Sequence, residues 1–341
     1  DQAQAGLRMA AALQNYWTAF SDWREARQRL AQLLALPTAA QRTLARAFTL
    51  HEAGNLACHM GDYEAGFALL EESREIGLEL GEAGKVCVGF TLVAIAEHLL
   101  DQGNKAVARK ALDEGIAILR EAGEPWQLWL GFTIRGMVAL ESGDYPQADT
   151  FFNEALAFAR KIGHRWLSGI SMSTLGYLLY LQGDFSTARS YLEESEIILR
   201  PLNDLKHRSL SSLGAIALLQ GNHQQAVTYF EEHLTNSHQQ GNKVNARAMS
   251  DLAIAAGHLS DHTRSAALLS KALIITREGS NLYDKSVCLL GVAAIQPRPR
   301  KAVQLLAAAQ AAFEASGAIM VEPLYNAESE HIEQALSLIH I

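Results

Sequence analysis

Apolar positions along this chain fall into alternating blocks of helical spacing, each pair divided by a short polar turn. The stretch from Trp126 to Ser142 contains no Pro, and its apolar residues Leu130, Ile134, Met137 and Val138 share one helix face. Gly143-Asp144-Tyr145 interrupts that face. Gly supplies a backbone free to take positive φ, and Asp suits the N-cap of a following helix. Pro146 sits at a first helical position, where its missing N–H costs nothing. A second apolar face runs through Ala148, Phe151, Phe152, Ala155, Leu156 and Ala159 to Gly163, a left-handed C-terminal cap. The pattern predicts two antiparallel helices, A and B, around a tight turn.

The turn recurs as Gly61-Asp62-Tyr63, Gly103-Asn104-Lys105, Gly183-Asp184-Phe185 and Gly221-Asn222-His223. Degenerate copies stand at Ser21-Asp22-Trp23, Ser260-Asp261-His262 and Pro297-Arg298-Pro299. Successive copies are separated by 40, 42, 40, 40, 38, 39 and 37 positions. The helix-B stops Gly81, Gly123, Gly163, Asn203, Gly241, Gly279 and Gly317 follow their turns by 19 or 20 residues. A fixed period of this size marks a solenoid. The expected fold is all-α, a right-handed α-solenoid superhelix of about eight helical hairpins with a capping helix at 322–339. The hairpins are expected at 5–38, 39–81, 82–123, 124–163, 164–203, 204–241, 242–279 and 280–317, as one continuous domain over 1–341.

Three further positional rules hold through the copies. Seven residues before the turn stands a small residue, as at Gly54, Ala96, Gly136, Gly176, Gly214 and Ala253. Five residues after it stands another, as at Gly66, Ala108, Ala148, Ala188 and Ala226. Nine after it comes a large apolar knob: Leu30, Leu70, Leu112, Phe152, Leu192, Phe230, Leu269, Leu306. The small pair lets helices A and B approach closely, and the knob is expected to fill the space between neighbouring hairpins.

In order and spacing, the small residue of helix A, the Gly-Asp-Tyr turn, the Ala of helix B and the large apolar residue resemble the tetratricopeptide repeat. The period of about 40 is longer than the usual 34 residues. Segments such as Leu69-Leu70-Glu71-Glu72-Ser73 and Tyr191-Leu192-Glu193-Glu194-Ser195, the loop Ile162 to Trp166, the run Arg300 to Ala309 and the opening Gly6 to Trp17 carry a narrower resemblance. They are similar to the C-terminal repeat region of bacterial STAND-type signalling ATPases, including LuxR-type and SARP-type transcriptional regulators. That resemblance implies an upstream ATPase domain and winged helix in a longer protein. The first residue, Asp rather than Met, agrees with a fragment.

Composition narrows the partners. A net charge of −8 opposes a nucleic-acid-binding face, which needs cations against phosphates. Three cysteines, Cys58, Cys87 and Cys288, show no paired spacing and suggest a reducing, cytoplasmic setting. The apolar stretch Val86 to Ala96 is shorter than the roughly 20 residues of a membrane span, and no signal peptide opens the chain.

The chemistry is sparse. No Walker A pattern, HExxH or CxxC is present, no helix-turn-helix stands outside the repeat, and no cofactor is implied. His258 and His262 are four apart across a turn, while His223 and His262 occupy the turn position that Tyr63, Tyr145 and Phe185 fill elsewhere. Packing in place of those aromatics is the simpler reading than metal ligation. Cys58-His59 lacks further ligands. The acid pairs Glu71-Glu72, Glu193-Glu194 and Glu231-Glu232 read as a solvated face rather than acid/base catalysts. Nothing here supports an enzyme.

A ligand of a tetratricopeptide superhelix would lie on its concave surface, which helix A lines. Three before the small residue, the chain reads His51, Val93, Thr133, Ser173, Ser211 and Ser250; one after it, Asn55, Glu97, Met137 and Tyr177. Arg135, Tyr180, Arg208 and Arg247 are nearby. Short polar groups in a row could bond an extended peptide and Arg a carboxylate; equally, the hydroxyls could bond back to their own helix. Trp126, Trp129 and Trp166 could anchor a partner or sit in the core. The groove candidates are His51, Asn55, Glu97, Thr133, Arg135, Ser173, Tyr177, Tyr180, Arg208, Ser211, Arg247 and Ser250. The expected function is a non-catalytic module binding a protein, peptide or small inducer, the sensor of a larger regulator; a stand-alone peptide-pheromone receptor or an assembly scaffold is the alternative.

Overall fold

A computed structural model describes residues 2–13, 23–102, 104–123, 125–202, 209–239, 246–278, 282–296, 298–316 and 322–337. Among them the chain forms seventeen α-helices, three short 3-10 turns and no strand. It divides into two compact units, Asp1–Val138 and Ala139–Ile341.

In the first unit, α1 (Gln2–Ala12) and α2 (Trp23–Leu34) pack on α3 (Leu44–His59). Helix α3 pairs with α4 (Tyr63–Glu79), and α5 (Lys85–Asp101) with α6 (Lys105–Ala122). Helix α7 (Pro125–Glu141) runs through the division between the units. The close approach of α3 and α4 depends on two glycines. A Cβ on Gly54 would lie 2.8 Å from the Gly66 carbonyl oxygen, and one on Gly66 would meet Cys58 Sγ at 2.2 Å. The knob Leu70 is fully buried against Gly54 of its own hairpin, and also joins Ala94 and Ile95 of the next A helix. It therefore fills both spaces, not only the one between hairpins.

Gly81–Leu100 is long and apolar enough to cross a membrane, although Val86 to Ala96 alone suggested otherwise; 67% of it is buried here. Most of it is α5, an A helix packed against α3, α4 and α6. Burial by three neighbours explains its apolarity.

In the second unit α8 (Tyr145–Lys161) packs on α9 (Arg165–Gln182). Four hairpins follow: α9 with α10 (Phe185–Leu199), α11 (Ser209–Leu219) with α12 (His223–Gln239), α13 (Ala246–His258) with α14 (His262–Glu278), and α15 (Leu282–Ile295) with α16 (Pro299–Ala315). The closing helix α17 (Pro323–Ser337) packs on α15, α16 and α11. Large knobs again seat on the small residues of their own A helices, Leu192 on Gly176 and Phe230 on Gly214.

The turns behave as the sequence predicts. Gly61, Gly143, Gly183 and Gly221 have φ of 74° to 86°, and Ser260 takes φ 63° without being glycine. After each, the N–H of Asp62, Asp144, Asp184, Asn222 or Asp261 reaches back to a helix-A carbonyl at 2.8 to 3.0 Å, the six-to-one bond of a Schellman ending. Asp62, Asp144, Asp184 and Asp261 then cap the next helix through their carboxylates. Gly81, Gly123 and Gly163 end helices B with φ of 58° to 72°. The stops Asn203, Gly241, Gly279 and Gly317, and the turn residues Ser21, Asp22, Gly103 and Pro297, lie outside the described residues.

Candidate functional site

Helices α9, α11, α13 and α15 are the A helices of consecutive hairpins, and α17 folds back onto the same network of side chains. Tyr177 and Arg247, both sequence-predicted, converge there on Glu322, at the start of α17. Tyr177 donates its hydroxyl to Glu322 Oε1 at 2.8 Å, and the Arg247 guanidinium pairs with the same oxygen. Arg247 Nε also donates to Tyr325 Oη at 3.2 Å, and the guanidinium carbon lies 5.4 and 5.6 Å from the ring centroids of Tyr283 and Tyr325. Tyr325 donates to Asp251 Oδ1 at 2.7 Å. Tyr180, also predicted and fully buried, accepts the backbone N–H of Leu324 at 3.2 Å.

Burial sets the electrostatics. It pushes the Asp251 carboxyl up to about 7, against the pull of Arg247 and Tyr325. It would lower the Arg247 guanidinium, but the oxygens of Tyr325, Glu322 and Asp251 outweigh it and hold the cation charged. Burial likewise raises the phenols of Tyr180 and Tyr325. The site thus pairs a desolvated cation with the chain's own Glu322 carboxylate, flanked by aromatic rings. A second clamp lies one helix end away: His258 Nε2 meets Glu328 Oε1 at 2.6 Å, with the rings of His223 and His331 4.9 and 5.7 Å from His258.

The remaining predicted residues fall elsewhere. His51 is buried beside Thr91, and burial lowers it to about 4. Asn55 holds His98 at 2.7 Å, and Glu97 is half-buried on the same helix as His98. Thr133 bonds back to the Trp129 carbonyl. Arg135 is buried and reaches the exposed Asp113 carboxylate at 2.8 Å. Ser173 and Ser250 are buried, the first accepting from Ser209 and the second bonding back to Ala246 beside Cys288. Ser211 is half-buried, and Arg208 lies outside the described residues. Trp129 is buried and Trp166 half-buried; the side chain of Trp126 is not described. His262 is exposed, His223 packs on His258, and among the described residues no three His, Cys, Asp or Glu side chains converge as a metal-binding set.

Two of the three acid pairs contribute ion pairs between helices, Glu72 with Arg46 at 2.8 Å, Glu232 with Arg200 at 2.7 Å, and Glu231 with Arg264, while Glu71 pairs with Arg74 of its own helix and Glu193 and Glu194 are exposed. An open cavity of about 420 Å³ lies between α1 and α3, lined by Gln4, Arg8, Ala11, Thr43, Leu44, Ala45 and Phe48. Sequence reasoning missed Asp251, Tyr283, Glu322 and Tyr325. Asp251 stands one turn from Arg247, and Glu322 precedes the Pro that opens the last helix; these local signals mark charge but not the partner 75 residues away.

Comparison with known proteins agrees with this architecture. A family model described as tetratricopeptide repeat matches residues 45–121 and 132–200. No curated protein sequence matches the chain. Among solved structures, aspartyl phosphate phosphatase F from Bacillus subtilis superposes with a TM-score of 0.61 at 14% identity, over 87% of this chain and 76% of that one. A Rap protein complexed with competence and sporulation factor gives 0.60 at 13% identity, over 98% of this chain and 86% of that one. A STAND signal-transduction ATPase with a tetratricopeptide repeat sensor, from Pyrococcus horikoshii, gives 0.60 at 13% identity, over 96% of this chain and 52% of that one. At such identities the likeness is one of fold. The chain carries tetratricopeptide repeats, at residues 45–121 and 132–200, within an all-α array of helical hairpins.

Proposed function

We propose that this chain is a non-catalytic module that binds a protein, peptide or small inducer, and that it serves as the sensor region of a larger bacterial signalling or transcriptional regulator. The observation that carries the reading is the buried cation of Arg247 on α13, ringed by Tyr177 on α9, Tyr283 on α15 and Tyr325 on the closing helix α17. A desolvated Arg beside aromatic rings is costly to build for packing alone and suits a carboxylate on a peptide. The fold likeness to a STAND sensor supports an attached ATPase switch, a cytoplasmic setting and a role without chemistry of its own.

A stand-alone peptide receptor is the second reading, favoured by the likeness to a Rap protein bound to competence and sporulation factor, which spans 98% of this chain. The full-length gene separates the two: a Walker A ATPase upstream supports the first, and a start codon just before Asp1 supports the second. Binding itself is tested by selecting from a random peptide library on the full chain and measuring affinity by calorimetry. A recurrent acidic consensus with micromolar affinity is expected. A library that yields no peptide bound above background removes the peptide reading.

A further inference from the structure

We propose that the A-helix network of the second unit is a site for a peptide segment carrying a carboxylate followed by an aromatic residue, and that Glu322–Tyr325 of this same chain is its resident, displaceable occupant. The inference rests on the peptide-binding reading and names the ligand class and its regulation.

A helix that only closed the array would need to cover α15 and α16. Here the start of α17 reaches residues 145 and 144 positions upstream, Tyr177 and Tyr180 on α9. What it offers them is a linear set of peptide features. The Glu322 carboxylate takes the Tyr177 hydroxyl and the Arg247 guanidinium. The Leu324 backbone N–H goes to Tyr180. The Tyr325 ring lies 6.2 Å from Tyr283 and 6.3 Å from Phe313, and its hydroxyl bonds Asp251. The carboxylate is read by α9 and α13, the backbone N–H by α9, and the aromatic side chain by α13, α15 and α16, so one short segment gathers four helices of the second unit.

The chemistry also bears on exchange. Buried charged pairs lose in desolvation much of what they gain in attraction, so an apolar contact would hold a permanent cap at least as well. A charged, aromatic clamp is selective and can be exchanged for a competing segment of the same chemistry. The His258–Glu328 contact ties down the far part of the helix through one further pair.

The test uses the full chain and a fluorescein-labelled synthetic peptide with the sequence of residues 322–337. Binding is measured by anisotropy to the unaltered chain and to a Glu322→Gln, Glu328→Gln double variant, whose own occupant is weakened. The double variant is expected to bind the peptide at least tenfold more tightly than the unaltered chain, and adding Arg247→Met should abolish the gain. Equal binding to both chains would overturn the proposal, as would a double variant that loses its helical circular dichroism. Hydrogen exchange on the unaltered chain gives an independent reading: α17 amides should exchange through an opening that leaves α13 and α15 protected, and exchange of all three only together would also overturn it. Library peptides still bound in that case would leave the peptide-binding function standing without its resident occupant.

Discussion

Ser195 on α10 and Ser209 on α11 lie 3.3 Å apart, oxygen to oxygen, and Ser195 also donates to the Gly169 carbonyl at 2.8 Å. The same clasp stands in the first unit. Ser73 donates to the Ala47 carbonyl at 2.7 Å and touches Cys87 Sγ at 3.5 Å and Thr91 Oγ1 at 3.2 Å. In both, the serine closing a Leu-Glu-Glu-Ser segment of helix B ties its own helix A to the next one. A buried hydroxyl with two partners contributes about 1–2 kcal/mol. Ser73→Ala and Ser195→Ala should each lower the melting temperature by several degrees. With no shared partner, their effects should add in the double variant; thermal melts followed by circular dichroism measure both points.

Ser260 holds a left-handed backbone, φ 63°, in a turn where five other copies have glycine, four of them described with φ of 74° to 86°. An L side chain in that region costs roughly 1–2 kcal/mol, of which glycine's extra unfolded-state freedom offsets part. Ser260→Gly should therefore stabilise the chain by about 0.5–1 kcal/mol. Gly183→Ala, at φ 84°, should destabilise it by a similar amount. Urea denaturation with an unchanged slope is the check; a destabilised Ser260→Gly variant would contradict the turn assignment.

Glu52 is buried with its Oε2 lacking a hydrogen-bond partner, and burial raises its carboxyl to about 8. Its Oε1 is 3.9 Å from His51 Nε2, but His51 is itself held neutral, lowered to about 4. Between the usual carboxylate value of about 4.3 and about 8, the unfolded chain has released a proton that the folded chain keeps. Stability from this group therefore falls as pH rises through that window. Glu52→Gln, a neutral isostere, should raise the melting temperature at pH 8 by several degrees, with the gain fading toward pH 4.5. A constant difference across that range would mean that Glu52 is ionised in the fold.

Arg247 is shared by Glu322, Tyr325 and the Tyr283 face, so its removal leaves buried acceptors without their cation. Arg247→Met should cost about 3–5 kcal/mol, as expected for one partner of a buried pair. Adding Glu322→Gln should recover part of that loss, giving a coupling of at least about 1 kcal/mol in a double-mutant cycle. Additive losses would show that the two side chains do not act as a pair.

His258 is raised above its ordinary value by the hydrogen bond from its ring to Glu328, against partial burial. Its contribution is complete below the unfolded value of about 6.5 and is lost as pH rises through the higher folded value. His223 and His331 are the other titratable rings against it. His258→Gln should lower the melting temperature below pH 6 and have little effect above pH 8; equal losses at both would rule out the charged pair.

Local chemistry determined the hairpins. A glycine able to take φ near 80°, an Asp that caps the next N-terminus, a small residue under a large one: each acts within a few residues or across one hairpin, so each shows as a position in the repeat. The Gly54–Gly66 approach was readable for that reason. The seating of Leu70 was only half readable: the periodicity pointed to the neighbouring hairpin, where Ala94 and Ile95 meet it, while its contact with Gly54 of its own hairpin, like that of Leu192 with Gly176, came from the packed structure.

The repeat placed Tyr177, Tyr180 and Arg247 on A helices, and the sequence alone carried them no further. Tertiary structure decided that Glu322 and Tyr325 lie against them, and that His51, Arg135, Ser173 and Ser250 turn inward to partners of their own. The physical reason is range. Turn and cap chemistry is settled between neighbours in the chain, whereas a carboxylate meets a guanidinium 75 residues away only once the two hairpins α13–α14 and α15–α16 have folded and fixed the distance between them.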